Sequence, residues 1–313
     1  MLEERFYSLG RYLKNMFDER VHRIGVQTVP IGHDAPEGYS LCAGGTLVDP
    51  THDTASVSIS EQLNHAKERI RQRFKFGKFM VHLHSTPGVL VSMDSIGTAV
   101  DEILRDNEVI GLTITLTPSS LTPEMTAFLK NTSRYIFTWL ELGLHTMHDE
   151  TLRRIGLTHT SKQAREGILQ LIRTRIHIAP HVVFGLPGET VDMMRHTMKE
   201  VSRMNIEGVN MHNLYILNNT PLAQQYAAGE ITLPGREDYI RLVCDFIEIL
   251  PPKVVLHGIV DAVPEDRLVA PDWTLLRKEN LDMISAELEK RGSVQGCRID
   301  EMHEAVQPPA VNE

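Results

Sequence analysis

Short apolar runs alternate with longer amphipathic stretches along most of this chain. The runs at 21–26, 79–84, 109–115, 135–142, 178–184, 209–214 and 254–257 have the length and composition of β-strands. Between them, apolar residues recur at helical spacing over 60–74, 93–106, 123–130, 161–173, 189–204 and 236–250. Strand followed by helix, repeated, predicts a parallel sheet. The stretch Ile178-Ala-Pro-His-Val-Val-Phe184 has few polar interruptions, as a strand covered on both faces requires. About six such units predict an α/β fold of barrel type, complete or partial, with a doubly wound sheet as the alternative that spacing leaves open. Either architecture puts the functional site at the C-terminal ends of the strands.

Residues 31–54 break the pattern. They are rich in Gly, Pro, Asp and His, carry no periodicity, and read as a long functional loop. The rest predicts one domain over residues 1–300, extensions included, followed by a loose tail at 301–313.

Composition narrows the function classes. Of 313 residues, 42% are hydrophobic and 23% charged, the balance of an ordinary globular protein. Lys and Arg total 32 against 41 Asp and Glu, a net charge of −9, so neither nucleic acid nor an anionic membrane is an expected partner. Three widely spaced cysteines, Cys42, Cys244 and Cys297, argue against a disulfide framework and for a reducing, cytoplasmic setting. No apolar run reaches the roughly 18 residues of a membrane span.

Two segments carry candidate chemistry. In His181-Val-Val-Phe-Gly-Leu-Pro-Gly-Glu-Thr190 a buried strand enters a turn containing Gly185 and Gly188, with Glu189 at the start of the next helix. Glycines there let backbone amides approach a ligand, although a strand-to-helix turn needs glycine on its own account. In Trp139-Leu-Glu-Leu-Gly-Leu-His-Thr146, Glu141 near the end of an apolar strand reads as a ligand contact or a buried ion pair.

These segments, together with His148-Asp-Glu-Thr-Leu-Arg-Arg-Ile155, Val209-Asn-Met-His-Asn-Leu214, Thr220-Pro-Leu-Ala223, Pro251-Pro252, Ala270-Pro271 and Val294-Gln-Gly296, resemble in order the bacterial radical-SAM proteins related to the catalytic subunit of elongator. The resemblance spans roughly residues 6–300. It implies a partial (β/α)6 barrel with a C-terminal extension. It also implies an iron-sulfur cluster (4Fe-4S) on three cysteines, and S-adenosylmethionine bound near Glu141, Gly185, Gly188, Glu189 and His212. The cluster pattern of that family opens Thr-Cys-Pro and closes Gly-Gly-Cys-x-x-Cys. Here Val29 stands at the first cysteine position, Cys42 at the second and Gly45 at the third. Valine and glycine offer no donor atom to iron.

Other family positions at strand ends are also replaced. Met80-Val-His-Leu-His84, Leu116-Thr-Pro-Ser119, Ile155-Gly-Leu-Thr-His159 and His257-Gly258 stand where the family carries arginines and other polar groups. The leading expectation is therefore a homologue that has lost its cluster and radical chemistry and acts as a ligand-binding or regulatory protein. Its partners would be a small molecule, such as an adenosine-bearing ligand, or an active paralogue. Two alternatives differ in class. His82 and His84 share a strand face and His145 ends another strand, so these three, with Cys42 or Glu141, would form a metal site. Otherwise the chain is an active radical enzyme, acting on RNA, whose cluster is completed by His33, Asp34 or a partner's cysteine.

Overall fold

A computed structural model of the chain describes residues 5–27, 57–74, 77–84, 93–172 and 174–302. The 31–54 loop lies outside them, and with it Cys42, Gly45, His33 and Asp34; so does Val29.

Seven strands, β1 (Val21–Gln27), β2 (Lys78–His84), β3 (Val109–Leu116), β4 (Phe137–His145), β5 (Ile176–Phe184), β6 (Gly208–Asn213) and β8 (Val255–Gly258), pair in chain order into one parallel sheet. The sheet curls into a half-barrel. A second, antiparallel pair joins β7 (Ile216–Leu217) to β9 (Leu268–Ala270). The helices are α1 (Leu9–Phe17), α2 (Ile59–Arg71), α3 (Met93–Leu104), α4 (Pro123–Thr132), α5 (Asp149–Arg154), α6 (Ser161–Leu171), α7 (Val191–Ser202), α8 (Pro221–Ala227), α9 (Arg236–Ile249) and α10 (Arg277–Lys290). None is long and apolar enough to cross a membrane.

Start signals explain most helix boundaries. The hydroxyls of Ser8, Ser58, Thr122, Thr160, Thr190 and Thr220 each accept an amide N–H of the following first turn. At Ser58 and Thr160 the side chain of Glu61 or Gln163 reaches back to the cap's own amide, completing a capping box. Thr190 is the cap of α7, so Glu189 sits just before that helix and not inside it. Strand β4 begins at Phe137, later than the apolar pattern suggests, because Tyr135 and Ile136 still bond back to Thr132 at the end of α4.

Alternation along the strands divides the interior in two. Phe79, Val81 and Leu83 on β2, Leu112, Ile114 and Leu116 on β3, and Leu140, Leu142 and Leu144 on β4 face the helices and form the main core with them. The alternate residues face the lumen of the half-barrel. Its floor is apolar: Leu9 and Leu13 of α1 pack against Met80, Trp139, Ala179 and Val255. Helix α1 also spans the gap between the sheet's two edges, since the Leu256 amide of β8 bonds to the Tyr7 carbonyl just before it. Above this floor the lumen becomes polar.

Candidate functional site

At the next level of the lumen stands Glu141, fully buried on β4. Its Oε1 accepts from Arg23 Nη2 at 3.1 Å and from His257 Nδ1 at 2.8 Å. Its Oε2 accepts from His181 Nε2 at 3.0 Å, with His82 Nε2 at 3.4 Å. Arg23 Nη2 also lies 3.3 Å from His82 Nδ1, and because a guanidinium only donates, that nitrogen is the acceptor. The proton of His82 is then on Nε2, which meets Thr115 Oγ1 at 2.6 Å. Side chains from β1, β2, β5 and β8 thus converge on one carboxylate of β4. Burial pushes the Glu141 carboxyl up, but the bonds from His181 and His257 and the Arg23 guanidinium outweigh it and hold it well below the ordinary carboxylate range.

A second series leaves this hub towards the rim. His181 Nδ1 lies 3.2 Å from His212 Nε2, and His212 Nδ1 lies 2.6 Å from Asp261 Oδ1, all three residues being buried. Asp261 follows β8, so the series runs from mid-lumen to the C-terminal rim. Burial lowers His181 and His257 despite their bonds to Glu141. Burial would lower His212 as well, but Asp261 overrides it and raises its pKa.

His145 ends β4 in the left-handed region at φ 64°, and its ring lies 6.2 Å from that of His159. Burial, then the neighbouring His181, His159 and His212, hold it well below the ordinary imidazole value. His82 belongs to the Glu141 hub; His145 does not bond to it. The side chain of His84 and all of Cys42 lie outside the described residues. Among the described residues no three His, Cys, Asp or Glu side chains are grouped to hold a metal ion.

Gly185 and Gly188 have local explanations. Gly185, at φ 91°, gives its amide to the Met194 sulfur at 3.2 Å, and a Cβ there would sit 2.5 Å from the Pro234 ring. Gly188, at φ 83°, lies under Arg154, which donates to the Pro187 carbonyl at 3.2 Å. Glu189 accepts from Thr146 Oγ1 at 2.5 Å, linking the end of β4 to the start of α7. Burial raises its carboxyl above the ordinary range, partly opposed by Thr146, His148 and Thr151.

Three members of these networks carried a sequence signal that the motif reading passed over. Arg23 is a charged residue inside an apolar strand, opposite in phase to Ile24 and Val26; His181 and His257 sit at strand positions that alternation turns inward. Asp261 carried no such signal, since it lies in a loop after β8.

Residues 55–201 match the radical SAM superfamily and residues 206–290 the radical SAM C-terminal domain. The protein MJ0486 of Methanocaldococcus jannaschii is 30% identical, over 94% of this chain and 92% of its own length. The chain belongs to the radical SAM superfamily. YtqA of Bacillus subtilis is 28% identical over 94% of this radical SAM chain and 92% of its own, and YhcC of Escherichia coli 24% identical over 95% and 96%. The Elp3 structure from the archaeon Methanocaldococcus infernus superimposes with a TM-score of 0.68 at 15% identity. That match covers 89% of this chain and 65% of the other, and shows the shared fold.

The superfamily implies S-adenosylmethionine and an iron-sulfur cluster, and the thiols described here do not fit the cluster. Cys244 is buried on α9, its Sγ 3.7 Å from the Ile284 carbonyl of α10, in the helical layer outside the sheet. Cys297 lies beside the C-terminal end of α9, where Gly296 and Arg298 donate to the carbonyls of Ile247 and Glu248. That end precedes β8, so Cys297 is at the floor and not at the rim. Neither of these two thiols lies at the C-terminal rim of the sheet.

Proposed function

We propose that this radical SAM protein does not assemble the three-cysteine cluster, performs no radical chemistry, and serves as a ligand-binding or regulatory homologue. The observation carrying this reading is the thiol inventory: one cysteine in the loop after β1, and two in places the rim cannot use. A cluster of this type needs thiolates, and the Val29 and Gly45 side chains have none to give. The engagement of both Glu141 oxygens by Arg23, His257 and His181 supports it further, because the carboxylate that matches the family's pocket is spent inside the chain. The lumen keeps its polar character in Glu141, His181, His212 and Asp261, which suits binding.

Anaerobic reconstitution with iron and sulfide tests this. We expect iron and sulfide well below one cluster per chain, and no 5′-deoxyadenosine after addition of dithionite and S-adenosylmethionine. About four irons per chain with cleavage of S-adenosylmethionine would overturn the proposal. Calorimetry with S-adenosylmethionine and S-adenosylhomocysteine on the same preparation separates a protein that binds such a ligand without cleaving it from one that has lost both.

A further inference from the structure

The hydrogen bonds from Asp261 through His212 and His181 to Glu141 fix how many protons this series holds. Three consecutive bonds, at 2.6, 3.2 and 3.0 Å, need three protons. The terminal carboxylates are acceptors, so all three protons sit on the imidazoles, and two neutral imidazoles carry only two. The pair therefore holds one extra proton and one positive charge. Charge balance leads to the same count. Glu141 and Asp261 bring two negative charges, Arg23 one positive charge, and the shared imidazolium the second. His82 stays neutral because its Nδ1 accepts from Arg23, and His257 because its Nε2 has no partner. Among the described residues these lumen charges sum to zero.

One atom of the series is unanswered. Asp261 Oδ2 is buried, on a residue only 4% exposed, and has no hydrogen-bond partner. Tyr239, which faces it from α9, gives its proton to the Ile259 carbonyl at 2.8 Å. A buried carboxylate oxygen without a donor is costly, and such an atom in a native fold calls for a partner. Asp261 is three residues beyond β8, at the rim where barrels of this class take their ligands.

We infer that the free oxygen of Asp261 receives a cationic group, a primary ammonium or a guanidinium, of a small-molecule ligand, and that this cation replaces the proton shared by His212 and His181. The inference names the ligand class for the binding role proposed above and rests on that reading. As the cation enters, the proton between His212 Nε2 and His181 Nδ1 leaves to solvent, and the two ring nitrogens, both acceptors without it, break their 3.2 Å contact. His212 keeps Nδ1–H for Asp261, His181 keeps Nε2–H for Glu141, and these charges still sum to zero. Because cation and proton compete, binding strengthens as pH rises. The other groups facing the pair do not supply a replacement proton: His145 from β4 is held neutral, His82 and His257 are committed to Glu141, and Arg23 already pairs with it.

Ring-nitrogen NMR of the full-length protein, with isotope-labelled histidine, reads this directly. Methylammonium and methylguanidinium are the probes, and tetramethylammonium, which donates no hydrogen bond, is the control. In the free protein near neutral pH we expect one buried imidazolium pair signal, absent in His212→Gln. Either probe should convert it saturably to the neutral pattern, at concentrations on the order of millimolar for so small a ligand. The control should leave it unchanged. Asp261→Asn should weaken the response at least tenfold. A neutral His212 in the free wild-type protein overturns the inference, as does an imidazolium that neither probe shifts, which would mean Oδ2 holds only water. The wild-type spectra decide even if Asp261→Asn fails to fold. Cluster assembly, which would sink the proposed function, is read by iron content and leaves this measurement standing.

Discussion

Glu141 shows how one residue gathers chemistry from distant parts of the chain. Replacing it with glutamine removes the charge and one of the two acceptor oxygens, setting an amide donor against the donors that surround it, and breaking a buried pair from one side costs about 3–5 kcal/mol. We expect Glu141→Gln to lower unfolding stability by roughly that amount in urea titrations. The histidines set the pH dependence. In His145, His159, His177, His181 and His257 burial lowers the pKa, so the folded state refuses protons that the unfolded chain takes up below about pH 6.5. Stability therefore falls on acidification below that value. Glu141, held low, adds to the loss only below the ordinary carboxylate range. His212 acts in the opposite sense: its raised pKa stabilises the fold fully below about pH 6.5, and this is lost as pH climbs through the folded value. Urea midpoints from about pH 5 to 9 should trace both limbs, and His212→Gln should remove the alkaline limb and keep the acid one.

Among the elements, the turn after β5 separates ligand-driven from packing-driven glycine. Gly185 and Gly229 both have positive φ, 91° and 74°, but a Cβ on Gly185 would strike Pro234, whereas one on Gly229 meets nothing within 4 Å. Gly229→Ala should cost about 1 kcal/mol, the left-handed strain alone. Gly185→Ala should cost clearly more, and the difference between their unfolding free energies measures the packing against Pro234. If the two variants proved equal, the close approach would carry no energy. The same scale shows where periodicity fails. Helix α10 was not visible as an amphipathic stripe because its inner face includes Asn280, a buried polar residue that accepts from Arg236 at 2.7 Å and donates to the Trp273 carbonyl at 2.8 Å. Helix α1 and the short β7–β9 pair escaped notice too, being too brief for a pattern of repeats to stand out. Strands such as β4, β5 and β6 were legible because burial on both faces leaves each as an apolar run, whereas β1 is only half-buried.

For the molecule as a whole, α1 closes the floor of the half-barrel, and its removal from packing should be felt by the entire sheet. Leu13 is almost fully buried against Met80, Trp139 and Val255. Leu13→Ala should destabilise the fold by about 2–5 kcal/mol. Its cavity opens beside Trp139, so tryptophan emission should shift to longer wavelength before global unfolding. An unchanged spectrum with unchanged stability would mean that the floor is dispensable. The amino-acid sequence by itself determined the alternation of strand and helix, the helix caps, the family resemblance and the shortage of thiols. Each is set by residues close together in the chain, or by an inventory that folding cannot alter. The lumen was decided only by tertiary structure. His82, Glu141, His181, His212, His257 and Asp261 come from five strands and a loop, and strand register together with the curl of the sheet selects which of their atoms meet. A shift of one residue in any strand would turn its lumen side chain into the helical core, so no local pattern could have named Asp261 as the partner of His212.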